Sequence, residues 1–323
     1  MIDKSNMYKV IEKFPMQIKE GYKLGENIEF HDTIQNIVIA GMGGSALPGE
    51  ILKGYLDIEV PINIVRNYNL PKFVTTKSLL VVISYSGNTE ETINCLRQGL
   101  RIGCPLLVMA SGGKIKEIAE KQEVEFIKIH RGIEPRCSYG YIFFALLRVL
   151  ENSGLIETQK SHVEKTIKFL SSDAYKDYAK KVVAKLGKKI PITYSSERNK
   201  AIAYKWKISF NENAKIHAFN NFFPELDHNE IEGYTHMFAD FATIIIRDDE
   251  DHPRIRKRMD VTKGIIKEND CNVIEIAING SSRMAKIFSA IYIGDWTSYF
   301  LALQYDTDPT PVEIIERLKK EME

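Results

Sequence analysis

The chain has 323 residues, 44% hydrophobic and 27% charged, a composition that excludes disordered and collagen-like chains; its length suits two α/β domains of about 150 residues each. Lysine plus arginine (44) nearly balance aspartate plus glutamate (43), leaving a net charge of +1, so no global field draws the chain to nucleic acid or an anionic membrane and any anion site has to be local. The N-terminal stretch mixes charges and has neither the apolar core of a signal peptide nor the makeup of a transit peptide, and there is no run of about 18 apolar residues, so a cytoplasmic protein is expected.

From the N-terminus, apolar β-branched runs alternate with amphipathic helical stretches, the pattern of βαβ units around a mainly parallel sheet flanked by helices. Strands are expected at Asn36–Ala40, Ile62–Val65, Ser78–Ile83, Leu106–Met109 and Glu125–Ile129, and helices at Ala46–Tyr55, Glu90–Gln98, Lys114–Lys121 and Tyr139–Leu150. The stop signal Asn152-Ser153-Gly154 marks the expected boundary, giving domains 1–154 and 155–323. The second half repeats the alternation: helix Thr158–Leu170, strand Ile190–Ser195, helix Lys200–Phe210, strands Lys215–Phe219 and Phe241–Ile246, helix Arg254–Lys267, strand Asn272–Ile276, and closing helices Arg283–Leu303 and Pro311–Lys320. The four cysteines form no CxxC pair, which argues against a zinc site or a disulfide framework and for reduced packing residues.

Two turns of the first half have phosphate-binding character. In Ile37–Ala46 a buried strand runs through Gly41, Gly43 and Gly44 into a helix, where glycines admit a ligand to the backbone and a helix N-terminus favours an anion. A plain strand-to-helix turn would look similar. Gly41, Gly43 and Ala46 also fit the loose dinucleotide fingerprint, but the second strand ends in Arg66-Asn67 rather than an acid; this disfavours NAD and leaves an NADP-dependent dehydrogenase as a rival. After the third strand, Ser84-Tyr85-Ser86-Gly87-Asn88-Thr89 sets three hydroxyls and a glycine at the start of a helix, more hydroxyls than a single capping box uses.

GMGGSA followed by SYSGNTEET resembles the sugar-isomerase (SIS) domain, whose members bind phosphosugars on an S-x-S-G-x-T turn. The resemblance implies that Ser84, Ser86 and Thr89 hold the phosphate and that Gly44 and Ser45 line the sugar. Aldose–ketose isomerisation of such a sugar needs a carboxylate base, a positive group near the developing enediolate, and an acid/base for ring opening, with no metal or redox cofactor. The segments Phe210–Lys215 and Pro224–Ile231 resemble those of the phosphoglucose isomerase superfamily, in particular its bifunctional phosphoglucose/phosphomannose branch, and imply Glu212 as the base and His228 as the ring-opening group.

From composition alone Glu212 would be a solvated helix end, and His228, beside Asp227 and Glu230, a surface histidine or part of a metal cluster. The segment Gly132–Tyr139 is similar to the family's arginine loop and implies that Arg136 stabilises the enediolate; the plainer alternative is a surface pair with Glu134. The closing stretch Tyr305–Lys319 also resembles the family's, and implies that Lys319 aids ring opening and that Thr310 makes room for the mannose epimer. One departure is Leu226-Asp227 ahead of His228, where relatives commonly carry asparagine beside the histidine. The resemblance spans essentially the whole chain, and the lack of the insertions of larger single-activity isomerases favours the bifunctional type. It implies two SIS domains and a homodimer in which His228 reaches the partner's site. A sugar-phosphate sensor without catalysis is the alternative from another class.

Overall fold

The computed structural model describes residues 2–322. The chain forms two compact units: Lys13–Lys168, and the described residues before Lys13 together with those from Phe169 on. A short helix, α1 (Met7–Glu12), thus belongs to the second unit.

The first unit opens with α2 (Phe14–Leu24), which has Pro15 in its first turn, where the missing N–H costs nothing. It continues through β1 (Asn36–Ala40), α3 (Gly43–Tyr55), β2 (Ile62–Val65), β3 (Ser78–Ser84), α4 (Glu90–Ile102), β4 (Leu106–Ala110), α5 (Gly113–Lys121), β5 (Glu125–Lys128) and α6 (Tyr139–Asn152). The five strands are all parallel, in the order β2-β1-β3-β4-β5. Every residue of β3 and β4 is buried, as expected of central strands covered by helices on both faces. One side of the sheet packs Val38, Leu80, Val82 and Val108 into a common core with Leu96 of α4 and Ile115 and Ala119 of α5.

The unit extends beyond the boundary expected at Gly154, to a point within α7 (Lys160–Leu170). The extension is tied back by polar bonds: Gln159 N–H donates to Glu151 at 3.0 Å and the Tyr55 hydroxyl donates to the Gln159 side chain.

In the second unit α8 (Ala174–Leu186), a helix the sequence reading lacks, precedes β6 (Ile190–Ser196) and α9 (Lys200–Glu212). There follow β7 (Phe219–Phe223), β8 (Phe241–Arg247), α10 (Pro253–Glu268), β9 (Asn272–Ala277), α11 (Arg283–Gln304) and α12 (Glu313–Met322). The sheet is again parallel, in the order β7-β6-β8-β9. The Ser282 hydroxyl caps α11 by accepting from Ala285 N–H at 3.2 Å. That helix packs on α8, α9 and α1 and is buried on nearly every side.

The strand expected at Lys215–Phe219 lies instead at Phe219–Phe223. Lys215 sits in the left-handed region at φ 58°, incompatible with an extended strand, and the Asn211 amide donates to Ile216 carbonyl at 2.8 Å to keep the segment bent. The last helix begins at Glu313 rather than Pro311. All four cysteines are free and buried, and among the described residues no helix is long and apolar enough to cross a membrane.

Candidate active site

In the order β2-β1-β3-β4-β5 the winding reverses between β1 and β3, and ligands of doubly wound sheets bind at the carboxyl ends of the strands at such a switch point. The two glycine-bearing turns of the first unit are the ones these two strands deliver. Ser84 is the last residue of β3 and only 1% exposed. Its hydroxyl donates to Thr89 Oγ1 at 3.0 Å and accepts from Gly87 N–H at 3.1 Å; the Ser86 hydroxyl accepts from Asn88 N–H at 3.3 Å. Thr89 is the N-cap residue of α4, yet its side chain makes no capping bond. The capping-box alternative therefore does not account for these hydroxyls. They curl around the start of a 13-residue helix whose first N–H groups attract an anion.

Gly87 is fixed by this geometry. Its φ is +80°, and a Cβ there would lie 1.7 Å from the carbonyl oxygen of Gly112. Gly87→Ala should therefore displace the turn, raising KM for a sugar phosphate by about tenfold or more, since left-handed backbone alone costs about 1–2 kcal/mol in an L-residue; steady-state kinetics would check it, and an unchanged KM would detach the turn from substrate binding.

Gly44, Ser45 and Arg136 join the same cluster. Ser45 accepts from Tyr85 N–H at 3.2 Å. A Cβ on Gly44 would fall 2.9 Å from the Cα of Arg136, so only glycine lets the first turn of α3 press against the arginine loop. Residues 135–137 form a single 3-10 turn, closed by Cys137 N–H to Glu134 carbonyl at 2.8 Å and Ser138 N–H to Pro135 carbonyl at 3.1 Å. The pair with Glu134 exists at 3.3 Å, but Arg136 is 1% exposed. It is a buried guanidinium rather than a surface one, and a buried cation has to be held by anions and hydrogen bonds. Arg66, the residue that kept a dinucleotide reading open, is paired with Glu50 at 2.7 Å.

In the second unit Glu212 is the last residue of α9, half-buried. The Lys215 ammonium donates to the Glu212 carbonyl and, at 3.2 Å, to the Pro309 carbonyl, so the end of α9 is clamped beside Thr310. Thr310 is half-buried, with its N–H donating to the Asp308 carboxylate at 3.1 Å. Upstream on the same helix Lys205, 1% exposed, donates to the Ser209 hydroxyl at 2.7 Å and is paired with Asp295 of α11. His228 lies at the end of a 3-10 turn, Glu225–His228, and is exposed. Asp227 beside it is bound by Arg258 at 3.0 Å and Thr262 at 2.9 Å, which gives the departure at this position a structural job: it pins the histidine-bearing turn to α10. Lys319 is exposed on α12, and no bond ties it to Glu212, Thr310 or His228. Among the described residues no group of three or more His, Cys, Asp or Glu is placed to hold a metal ion.

The second sheet has its own switch point, between β6 and β8, and it is built differently. Asp248, whose side chain is fully buried, accepts from Arg283 at 2.8 Å and Lys286 at 3.2 Å. Ser196 donates to Asp251 at 2.6 Å, and burial raises the Asp251 carboxyl above the usual range. Internal ion pairs occupy the place that the hydroxyl turn holds in the first sheet.

Residues 175–322 match the model of the bacterial phospho-glucose isomerase C-terminal SIS domain. Over 98% of both chains the protein is 39% identical to a bifunctional phosphoglucose/phosphomannose isomerase of Caldicellulosiruptor bescii. The chain belongs to the bifunctional phosphoglucose/phosphomannose isomerase family. Its family relations also reach a D-glucosamine-6-phosphate 4-epimerase of Sulfolobus acidocaldarius, 33% identical over 72% of this chain and 76% of that one. In fold it is similar to the C-terminal domain of glucosamine-fructose-6-phosphate aminotransferase from Francisella tularensis, with a TM-score of 0.73, 14% identity, and 95% and 98% of the two chains covered.

Three features of the two units escape a reading of the family's motifs: the Lys215 clamp and the Asp227 anchor in the second, and the bonding of Tyr85 in the first. The first two connect residues remote in sequence and leave no local signal. Tyr85 lies inside the hydroxyl motif and could have been questioned there.

Proposed function

We propose that this protein is a sugar-phosphate isomerase that reversibly interconverts glucose 6-phosphate and mannose 6-phosphate with fructose 6-phosphate through a cis-enediol. The observation that carries this reading is the Ser84–Thr89 hydroxyl turn at the β1/β3 switch point with buried Arg136 against Gly44, in a chain aligned end to end with a bifunctional relative. The phosphate dianion binds Ser84, Ser86, Thr89 and the first N–H groups of α4, and Gly44 and Ser45 line the sugar. Glu212 takes the proton from C2 of the open-chain aldose and returns it to C1, giving the ketose; return to either face of C2 in the reverse direction gives glucose or mannose 6-phosphate. Arg136 balances the charge that develops on the enediolate oxygens. His228 and Lys319 serve ring opening, and Thr310 leaves space for the mannose epimer.

In this reading the first unit is the phosphate-binding domain and the second supplies the base. An exposed histidine on a firmly pinned turn suits a group that works in the site of a second copy, so the functional form is a homodimer, and the setting is the cytoplasm. Incubating the purified protein with fructose 6-phosphate in EDTA should yield both glucose and mannose 6-phosphates. Glucose 6-phosphate alone would cut the function to one activity. No turnover, with the ketose still raising the melting temperature, would make the protein a sensor, and conversion of glucosamine 6-phosphate with fructose 6-phosphate untouched would make it an epimerase.

A further inference from the structure

We infer that Tyr85 is a positioning residue, the strut that holds the arginine loop in register with the phosphate turn; the inference rests on the isomerase reading above. Tyr85 follows the last residue of β3, and its atoms bond to the turns that follow three of the other four strands, β1, β4 and β5. Its N–H donates to the Ser45 hydroxyl at 3.2 Å, after β1. Its carbonyl accepts from Ser111 N–H at 3.0 Å and from the Ser111 hydroxyl at 2.7 Å, after β4. Its side chain then reaches the loop after β5, where the phenol donates to the His130 carbonyl at 2.9 Å and accepts from Ile133 N–H at 3.3 Å.

The three backbone bonds would form with any residue at this position, so the part that needs tyrosine is the phenol, and it acts on the loop that carries Arg136. That loop is also tied by Arg131 Nε–H to the Ser111 carbonyl at 2.9 Å, and it meets a steric stop where the Arg136 backbone faces Gly44. Burial raises the phenol above its ordinary range, chiefly by desolvation, so the hydroxyl stays protonated and can donate to His130 and accept from Ile133 at once. A phenol using both its donor and its acceptor on one loop fixes the position of that loop, not merely its distance. The hydroxyls that hold the phosphate make none of these phenol bonds. Loss of the phenol should therefore shift the guanidinium while leaving the anion site in place.

The test is Tyr85→Phe, which keeps the ring and the three backbone bonds. With fructose 6-phosphate, kcat should fall about 10- to 100-fold, the cost of a misplaced catalytic group, with KM within about twofold of wild type. In the Arg136→Lys background the same change should add less than about twofold, because a strut cannot misplace a fork already removed. An unchanged kcat in Tyr85→Phe with only a lower melting temperature would overturn the inference, as would full additivity in the double variant. An Arg136→Lys enzyme that runs at the wild-type rate would sink the arginine's role along with the strut, whereas additivity with a slowed Arg136→Lys enzyme sinks the strut alone.

Discussion

Glu212→Gln is expected to lower kcat for both aldose phosphates by about 10²- to 10⁴-fold, the span that one well-placed general base contributes. The substitution keeps the size of the side chain and its place at the end of α9. The Lys215 ammonium donates to the backbone carbonyls of residues 212 and 309, atoms that the exchange leaves in place. Phosphate affinity should survive too, because the hydroxyl turn belongs to the other unit. Steady-state rates with each aldose, together with protection from thermal unfolding by fructose 6-phosphate, separate the two effects. Retention of more than a tenth of the wild-type rate would remove Glu212 from the role of base.

The largest effect on stability is expected from Lys205→Met. The Lys205 side chain is 1% exposed and that of its partner Asp295 is 6% exposed, with the Ser209 hydroxyl donating to the same carboxylate at 2.9 Å. Removing the ammonium strands a carboxylate in the interior of the α9–α11 contact, which costs about 3–5 kcal/mol. Combining it with Asp295→Leu should recover most of the loss, since an apolar pair can replace a buried ion pair at little cost. Urea unfolding of the single and double variants reads this directly, and a single variant within about 1 kcal/mol of wild type would contradict it. The pair also bears on chemistry. Lys205, Ser209 and Glu212 lie along one side of α9 at spacings of four and three residues, so the ion pair sets the rotation at which the helix presents its final glutamate.

The strands of both units were legible because parallel sheets covered on two faces demand unbroken apolar, β-branched runs, and Leu79–Ile83 and Phe241–Ile246 are such runs. The hydroxyl turn was legible for a different reason: Ser84, Ser86 and Thr89 lie within one short segment, so their convergence needs no long-range information. The failures share a cause as well. Lys215 reads as the start of a strand by its neighbours, and only the carbonyl of Pro309, far along the chain, turns it into a clamp. Asp227 reads as an irregularity until Arg258 and Thr262 of α10 close on it. The helix α8 is rich in lysine and tyrosine with few aliphatic residues, so its buried stripe of Ala179, Val182, Val183 and Leu186 is thin and easily overlooked.

The ion pairs packed at the β6/β8 switch point have a consequence for how such a protein can arise and be altered. On the proposed reading, the dianion receptor would belong to the first sheet, because Arg283 and Lys286 already satisfy Asp248 at the switch point of the second. The second half would thereby be released from recognising a ligand and free to serve as the rigid mount for proton-moving groups, a division of labour in which one copy grips and its sibling works.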